Sequence, residues 1–398
     1  MRPRSWAFAW IVLAAAVVIR TAPLGSQGGP VNPPGGPLAG LTALEFSEFR
    51  LGQDDFLEVE TPEEGLGPAF NGTSCAACHH SPTVGGSSAI LEVRAGYRDE
   101  EGNFRGLDDS GETLVHLFSV PTHGCQPQIP SGANVIAHRA PIPVFGAGLV
   151  EAIPDEALLA LADADDRNRD GISGRAGIVR DLETGANRVG RFGWEAQHAT
   201  LLAFGADAYR NEMGITNDLF PDELAVGVGA EHMARCDRIP ETEDRLDPRT
   251  RRRGIDNFAS FMRFLAPAAR GPIGADVNDG EAIFNAIGCA ACHRPSLETG
   301  PSANPVFHRR IVPLFSDLLL HDIGTGDGIK QASATPDEIR TPALWGLRFR
   351  RPLLHDGRAT TIEDAIAHHR READLARQGF LRLSATDRAR LLAFLGSL

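Results

Sequence analysis

The block Cys-Ala-Ala-Cys-His stands at residues 75–79 and again at 289–293, more than two hundred residues apart. Nothing else in the chain restricts its fold as strongly. Two thiols separated by two residues, with an imidazole directly after the second, is the arrangement that covalent haem attachment requires. Each thiol adds to one vinyl group on the porphyrin edge, and the adjoining ring swings beneath to bind iron. Chance gives one such block in a chain of this make-up roughly a few times in a thousand, so two together are not coincidence. A thiol redox pair would not need the histidine twice, and a zinc site would need two further ligands near each block. The reading is two covalently bound c-type haems, held through Cys75, Cys78 and His79 and through Cys289, Cys292 and His293.

Such a chain is built in an exporting context. Arg2 and Arg4 precede an apolar run from Trp6 to Ile19, so residues 1–24 read as an export signal or, if uncleaved, an N-terminal membrane anchor. Either leaves the rest outside the cytoplasm, most simply in a bacterial periplasm. The remaining cysteines, Cys125 and Cys236, are then either a disulfide or two unrelated buried thiols. The formal net charge of −13 excludes the basic surface that nucleic acid or anionic lipid would need.

A length of 398 residues suits two domains. Ahead of the second block, Ile283, Phe284 and Ile287 form one stripe of a short helix. At the far end Ser384 caps a helix with Leu391, Leu392, Phe394 and Leu395 on its apolar face. Helix, haem block, loops and final helix describe a cytochrome c-like domain over 256–398. The N-terminal haem domain, 25–255, is longer than one cytochrome needs and must hold loop-rich insertions, in keeping with 43 Gly and 27 Pro. The fold class expected is mainly α. Residues 241–254 read as an exposed linker. "HRAPIPVFGAGL" from His138 and "IRTPALWGLRF" from Ile339 echo one another, as two copies of one haem-binding unit would. Asp166, Asn168 and Asp170 alternate before Gly171 like the front half of a calcium loop, but Gly177 stands where the closing Glu belongs; the alternative is a solvated acidic turn.

Long stretches, among them "LGPAFNGTSCAACH", "GRFGWEAQH", "NEMGITNDLFPDE", "DLLLHDIG" and "RTPALWGLRFRRPLLHDGRATTIEDAI", resemble the bacterial dihaem oxidoreductases related to the dihaem cytochrome c peroxidases and to the dihaem enzyme that matures methylamine dehydrogenase. The resemblance covers nearly the whole mature chain. It implies that the distal ligand of the second haem lies fourteen residues after His355, at His369, with His368 turned to the surface. It implies that Trp194 lies between the haems as an electron relay, where the plain alternative is a core aromatic. It also implies that Glu212 is the acid beside an open first iron. A Gln usual in the relatives is replaced by Phe204, which leaves Gln197 and His198 as other candidates for that acid. Arg350 stands where the relatives have a Thr that helps hold an inter-haem calcium, so the guanidinium replaces that cation.

The expected function is peroxidase-like: hydrogen peroxide reduced at the first haem, with Glu212 and Trp194 as catalytic residues and electrons delivered to the second haem by a small cytochrome or copper protein. Two alternatives keep both haems. One oxidises another organic or protein substrate; the other is an electron carrier with both irons six-coordinate.

Overall fold

The computed structural model describes residues 34–398, apart from 109, 225–229, 238, 240 and 241. The export segment lies outside the described residues. Among those described, no helix is long and apolar enough to cross a membrane.

The helices in the N-terminal half are α1 (Ala43–Leu57), α2 (Cys75–Cys78), α3 (Ala147–Glu151), α4 (Asp155–Leu159), α5 (Leu201–Met213), α6 (Ala230–Cys236) and α7 (Gly254–Phe264). In the C-terminal half they are α8 (Ala275–Ala286), α9 (Ile362–His368), α10 (Asp374–Leu381) and α11 (Ala385–Leu395). Five small antiparallel sheets lie between them, so the expectation of a mainly α chain holds only in part. Short strands are what a Gly- and Pro-rich chain can support where no long apolar run is available.

Each half is organised by one helix crossing. In the N-terminal half Thr42 and Glu45 close a reciprocal cap on α1. Phe49 and Phe56 of α1 then pack on Phe261 of α7, with ring centroids at 5.4 and 4.8 Å. In the C-terminal half Ser384 caps α11 as expected, and Phe394 packs on Phe284 of α8 at 5.2 Å. A glycine permits each crossing. A Cβ on Gly52 would fall 2.1 Å from the Asn257 carbonyl oxygen, and one on Gly280 the same distance from that of Arg390. α7 packs with the N-terminal helices α1 and α5. Asp244, near the start of the expected linker, accepts from the Gly254 and Ile255 amides and so caps α7.

The largest sheet sets out the N-terminal insertion. Strand Glu92–Arg98 pairs with Phe104–Arg105, Leu114–Val115 and Val135–Arg139. Alternation along the strand puts Glu92 and Arg94 on one face. A disulfide joins Cys125 to Cys236 in α6, which settles the alternatives left by the sequence. The two echoing segments occupy equivalent turns: Phe145 and Trp345 are buried, and each precedes a left-handed glycine, Gly146 (φ 69°) and Gly346 (φ 78°), that opens a short helix.

Candidate functional site: two imidazole-anchored centres

The second block sits at the mouth of a cavity of about 410 Å³. Cys289, Cys292 and His293 line one side, and His369, at the C-terminal end of α9, lines the other. The two imidazole centroids are 6.4 Å apart. That separation leaves room for one metal ion with bonds of about 2 Å to each ring. Both rings are already oriented: His293 Nδ1 is bound to the Phe315 carbonyl at 3.1 Å, and His369 Nδ1 to that of Ala365 at 2.8 Å. Each Nε2 is thereby left to face the cavity. Burial pulls the pKa of both histidines down, that of His293 to about 4, so both are neutral and able to ligate. His368, by contrast, turns back to its own helix, bonding the Asp364 carbonyl at 2.8 Å.

The walls of this cavity fit a dianionic macrocycle. Arg340 and Arg350 both reach into it. Burial lowers both, to about 10, which keeps them charged at neutral pH. The Arg350 Nε is buried without a hydrogen-bond partner, as expected of a donor waiting for a carboxylate such as a haem propionate. Trp194 lines the same cavity, with its Nε1 donating to the Ala140 carbonyl at 2.8 Å and its backbone oxygen accepting from Arg340 at 2.7 Å. On the far wall His321 is held between Asp317 and Glu372, each at 2.9 Å.

At the first block, Ser74 caps α2 and places Cys75 and Cys78 one turn apart on the same side. His79 follows with Nδ1 bound to the Gly86 carbonyl at 2.9 Å, the same orienting device as at His293. The His79 ring contacts Phe56 at 6.1 Å. Among the described residues no imidazole is paired with it as His369 is with His293. Burial pushes the thiols of Cys75, Cys78 and Cys289 up, the last two to about 12, so none is a reactive thiolate.

Glu212, near the end of α5, lies close enough to Cys75 and Cys78 to raise both thiols further. Its carboxyl accepts from Asn71 Nδ2 at 3.0 Å and is hydrogen-bonded to the Glu92 carboxyl. Burial first, and then the Glu92 charge, hold Glu212 well above the usual carboxylate range, so it carries its proton at neutral pH. The other candidates are engaged elsewhere. Gln197 bonds Gln331 at 3.0 Å, His198 bonds Asp207 at 3.0 Å, and Phe204 stacks on Phe192 at 5.7 Å. Asp207, Arg210, Glu112, Arg94 and Glu92 continue from His198 toward Glu212 as a chain of ion pairs.

The acidic loop closes on itself. Asp166 accepts from the Gly171 amide, Asn168 from that of Asp170, and Asp170 from that of Ile172, at 2.9–3.3 Å. Sequence reasoning passed over Glu92, Arg94, Arg340 and His321. Arg340 lay within the echoing segment and His321 within "DLLLHDIG", yet no local spacing marked Glu92, because its partner is on a helix more than a hundred residues away.

Comparison with known proteins places these sites in context. The methylamine utilization protein MauG of Methylorubrum extorquens is 29% identical over 125 residues, 29% of this chain and 30% of that protein; the alignment thus spans less than a third of the relative's length. Among solved structures, hydrazine synthase of Kuenenia stuttgartiensis aligns over 100% of both chains with 16% identity and a TM-score of 0.41. The diheme peroxidase BthA of Burkholderia thailandensis aligns over 88% of this chain and 86% of its own, with 16% identity and a TM-score of 0.39. The family model described as "Di-haem oxidoreductase, putative peroxidase" matches residues 129–398. That span is well over half of the chain, takes in the second haem block with His369, Trp194 and Glu212, and makes this protein a member of the di-haem oxidoreductase family.

Proposed function

We propose that the chain is a periplasmic, peroxidase-like enzyme that binds both haems covalently, through Cys75 and Cys78 and through Cys289 and Cys292, and reduces hydrogen peroxide with electrons from a small cytochrome or copper protein. The observation that carries this reading is the unequal surroundings of the two blocks: His293 has an imidazole facing it at 6.4 Å, whereas the first block has the Glu212 carboxyl beside Cys75 and Cys78. Haem held by His293 and His369 would store electrons, and haem held by His79 would supply the redox chemistry on substrate.

The side chains then divide the work. His293 and His369 would hold the second haem from both sides and leave no room there for substrate. Arg340 and Arg350 would pair with its carboxylates and keep positive charge beside Trp194, which would relay electrons toward the first centre. Glu212 holds a proton on its carboxyl, oriented by Asn71, for transfer to the departing oxygen of the peroxide.

The test is optical and EPR spectroscopy of the oxidised protein with and without peroxide. One high-spin haem that responds to peroxide and one low-spin haem support the enzyme. Two low-spin haems unchanged by peroxide would make the chain an electron carrier.

A further inference from the structure

Burial raises the Glu212 carboxyl first, and a second carboxyl in contact with it decides where the shared proton sits. That partner is Glu92, the first residue of the strand Glu92–Arg98. Glu92 is in turn held at both oxygens by Arg94, with Nε at 2.6 Å and Nη2 at 3.1 Å. Arg94 is fixed by a 2.9 Å bond to Thr113 Oγ1 and stands 3.9 Å from Glu112. The charge of Arg139, on the neighbouring strand, also favours ionised Glu92. Arg94 draws Glu92 toward the anion, and two carboxylates in contact cannot both ionise, so the pair shares one proton and Glu212 is where it resides. The fold explains the pairing: alternation puts Glu92 and Arg94 on one face of their strand, and the chain from Asn71 to Gly72 is hydrogen-bonded to the Glu212 backbone carbonyl, at 2.7 and 3.1 Å, which pins α5 against it.

We propose that Glu92 is a positioning residue whose carboxylate, anchored by Arg94, accepts the Glu212 O–H and so keeps the working proton of the first centre stored on Glu212. This rests on the reading of Glu212 as the acid. When Glu212 gives its proton to the departing oxygen, it is left as a carboxylate beside the Glu92 carboxylate. The repulsion between them favours recapture of one proton from solvent, and the pair is reset with no change in its own oxidation state. The groups facing Glu212 in this arrangement are Glu92 and Arg94 from the sheet, Asn71 from the adjoining loop, and Cys75 and Cys78 from α2.

The experiment is an infrared pH titration of the di-haem protein, following the carboxylic-acid C=O stretch, together with the pH profile of the peroxide reaction. The wild type is expected to show at neutral pH a C=O band that Glu212→Gln abolishes. In Glu92→Gln that band titrates at lower pH and is lost at neutral pH. The peroxide reaction of this variant falls about tenfold at neutral pH and recovers on acidification. Glu92→Asp, which keeps the charge, restores most of the wild-type profile and separates the electrostatic role from misfolding. A Glu92→Gln protein with both haems bound and a wild-type C=O titration would overturn the proposal. The reading beneath it is tested separately: it fails if Glu212→Gln loses the band yet reacts with peroxide at the wild-type rate.

Discussion

The guanidinium of Arg350 lies 5.0 Å from the centre of the Trp194 ring, and both side chains face the cavity shared by His293 and His369. A buried cation stacked on an aromatic face stabilises the neutral indole and opposes loss of an electron from it. The same charge favours the reduced state of a nearby haem. Arg350→Gln is therefore expected to lower the midpoint potential of the second haem by roughly tens of millivolts, and Arg350→Lys by much less. Spectroelectrochemical titration checks this, and equal potentials in all three proteins would count against it.

Removing one of the facing imidazoles should change the spin state of a single centre. His369→Gly is expected to convert the second haem from low-spin to high-spin, and added imidazole to reverse the change. His368→Gly should leave the spectrum untouched, since that ring bonds its own helix. EPR of the oxidised variants distinguishes them.

His321 gives the fold an alkaline limit. Burial alone would lower its pKa, but bonds to Asp317, Cys292 and Glu372 outweigh burial and hold it well above the usual histidine value. A raised folded-state pKa contributes stability that is complete below the ordinary histidine pKa and is lost as pH rises through the raised value. His321→Gln should cost about 3–5 kcal/mol at neutral pH by leaving Asp317 buried and unpaired. It should also flatten the alkaline limb of Tm against pH, which calorimetry across pH reads directly.

The crossing of α8 and α11 has no room for a side chain at Gly280. Gly280→Ala would place its Cβ against the Arg390 carbonyl and 2.8 Å from the Phe394 Cβ. The expected cost is about 1–3 kcal/mol in chemical denaturation, with weakened retention of the second haem. Gly274→Ala, whose Cβ meets nothing within 4 Å, is the control and should change stability far less.

The haem blocks, the cap at Ser384 and the partner at His369 were legible because each is set by spacing along one short segment or by a family pattern read at a fixed offset. α1 was missed, since its apolar residues Phe49 and Phe56 gain meaning only against α7, about two hundred residues later. The packing of α7 on α1 was hidden for the same reason. The segment looked like a charged linker, and the contacts that bind α7 to the N-terminal half are all long-range. Glu92 was invisible because a glutamate before an arginine on a short strand is ordinary; only the arrival of Glu212 from α5 makes it a shared-proton pair. Phe204 was read as a departure from the family pattern, and its stacking on Phe192 shows a filled apolar position where the relatives carry an amide.

The six cysteines meet two opposite fates. Cys125 and Cys236 are joined across a separation of 111 residues, while Cys75, Cys78, Cys289 and Cys292 form no disulfide. An oxidising environment able to make the first bond would also threaten to scramble the other four, because exchange proceeds through thiolate attack. Burial that disfavours the thiolate at Cys75, Cys78 and Cys289 slows that attack until haem attachment would take these sulfurs up as thioethers, beyond the reach of the oxidant that closes the strap.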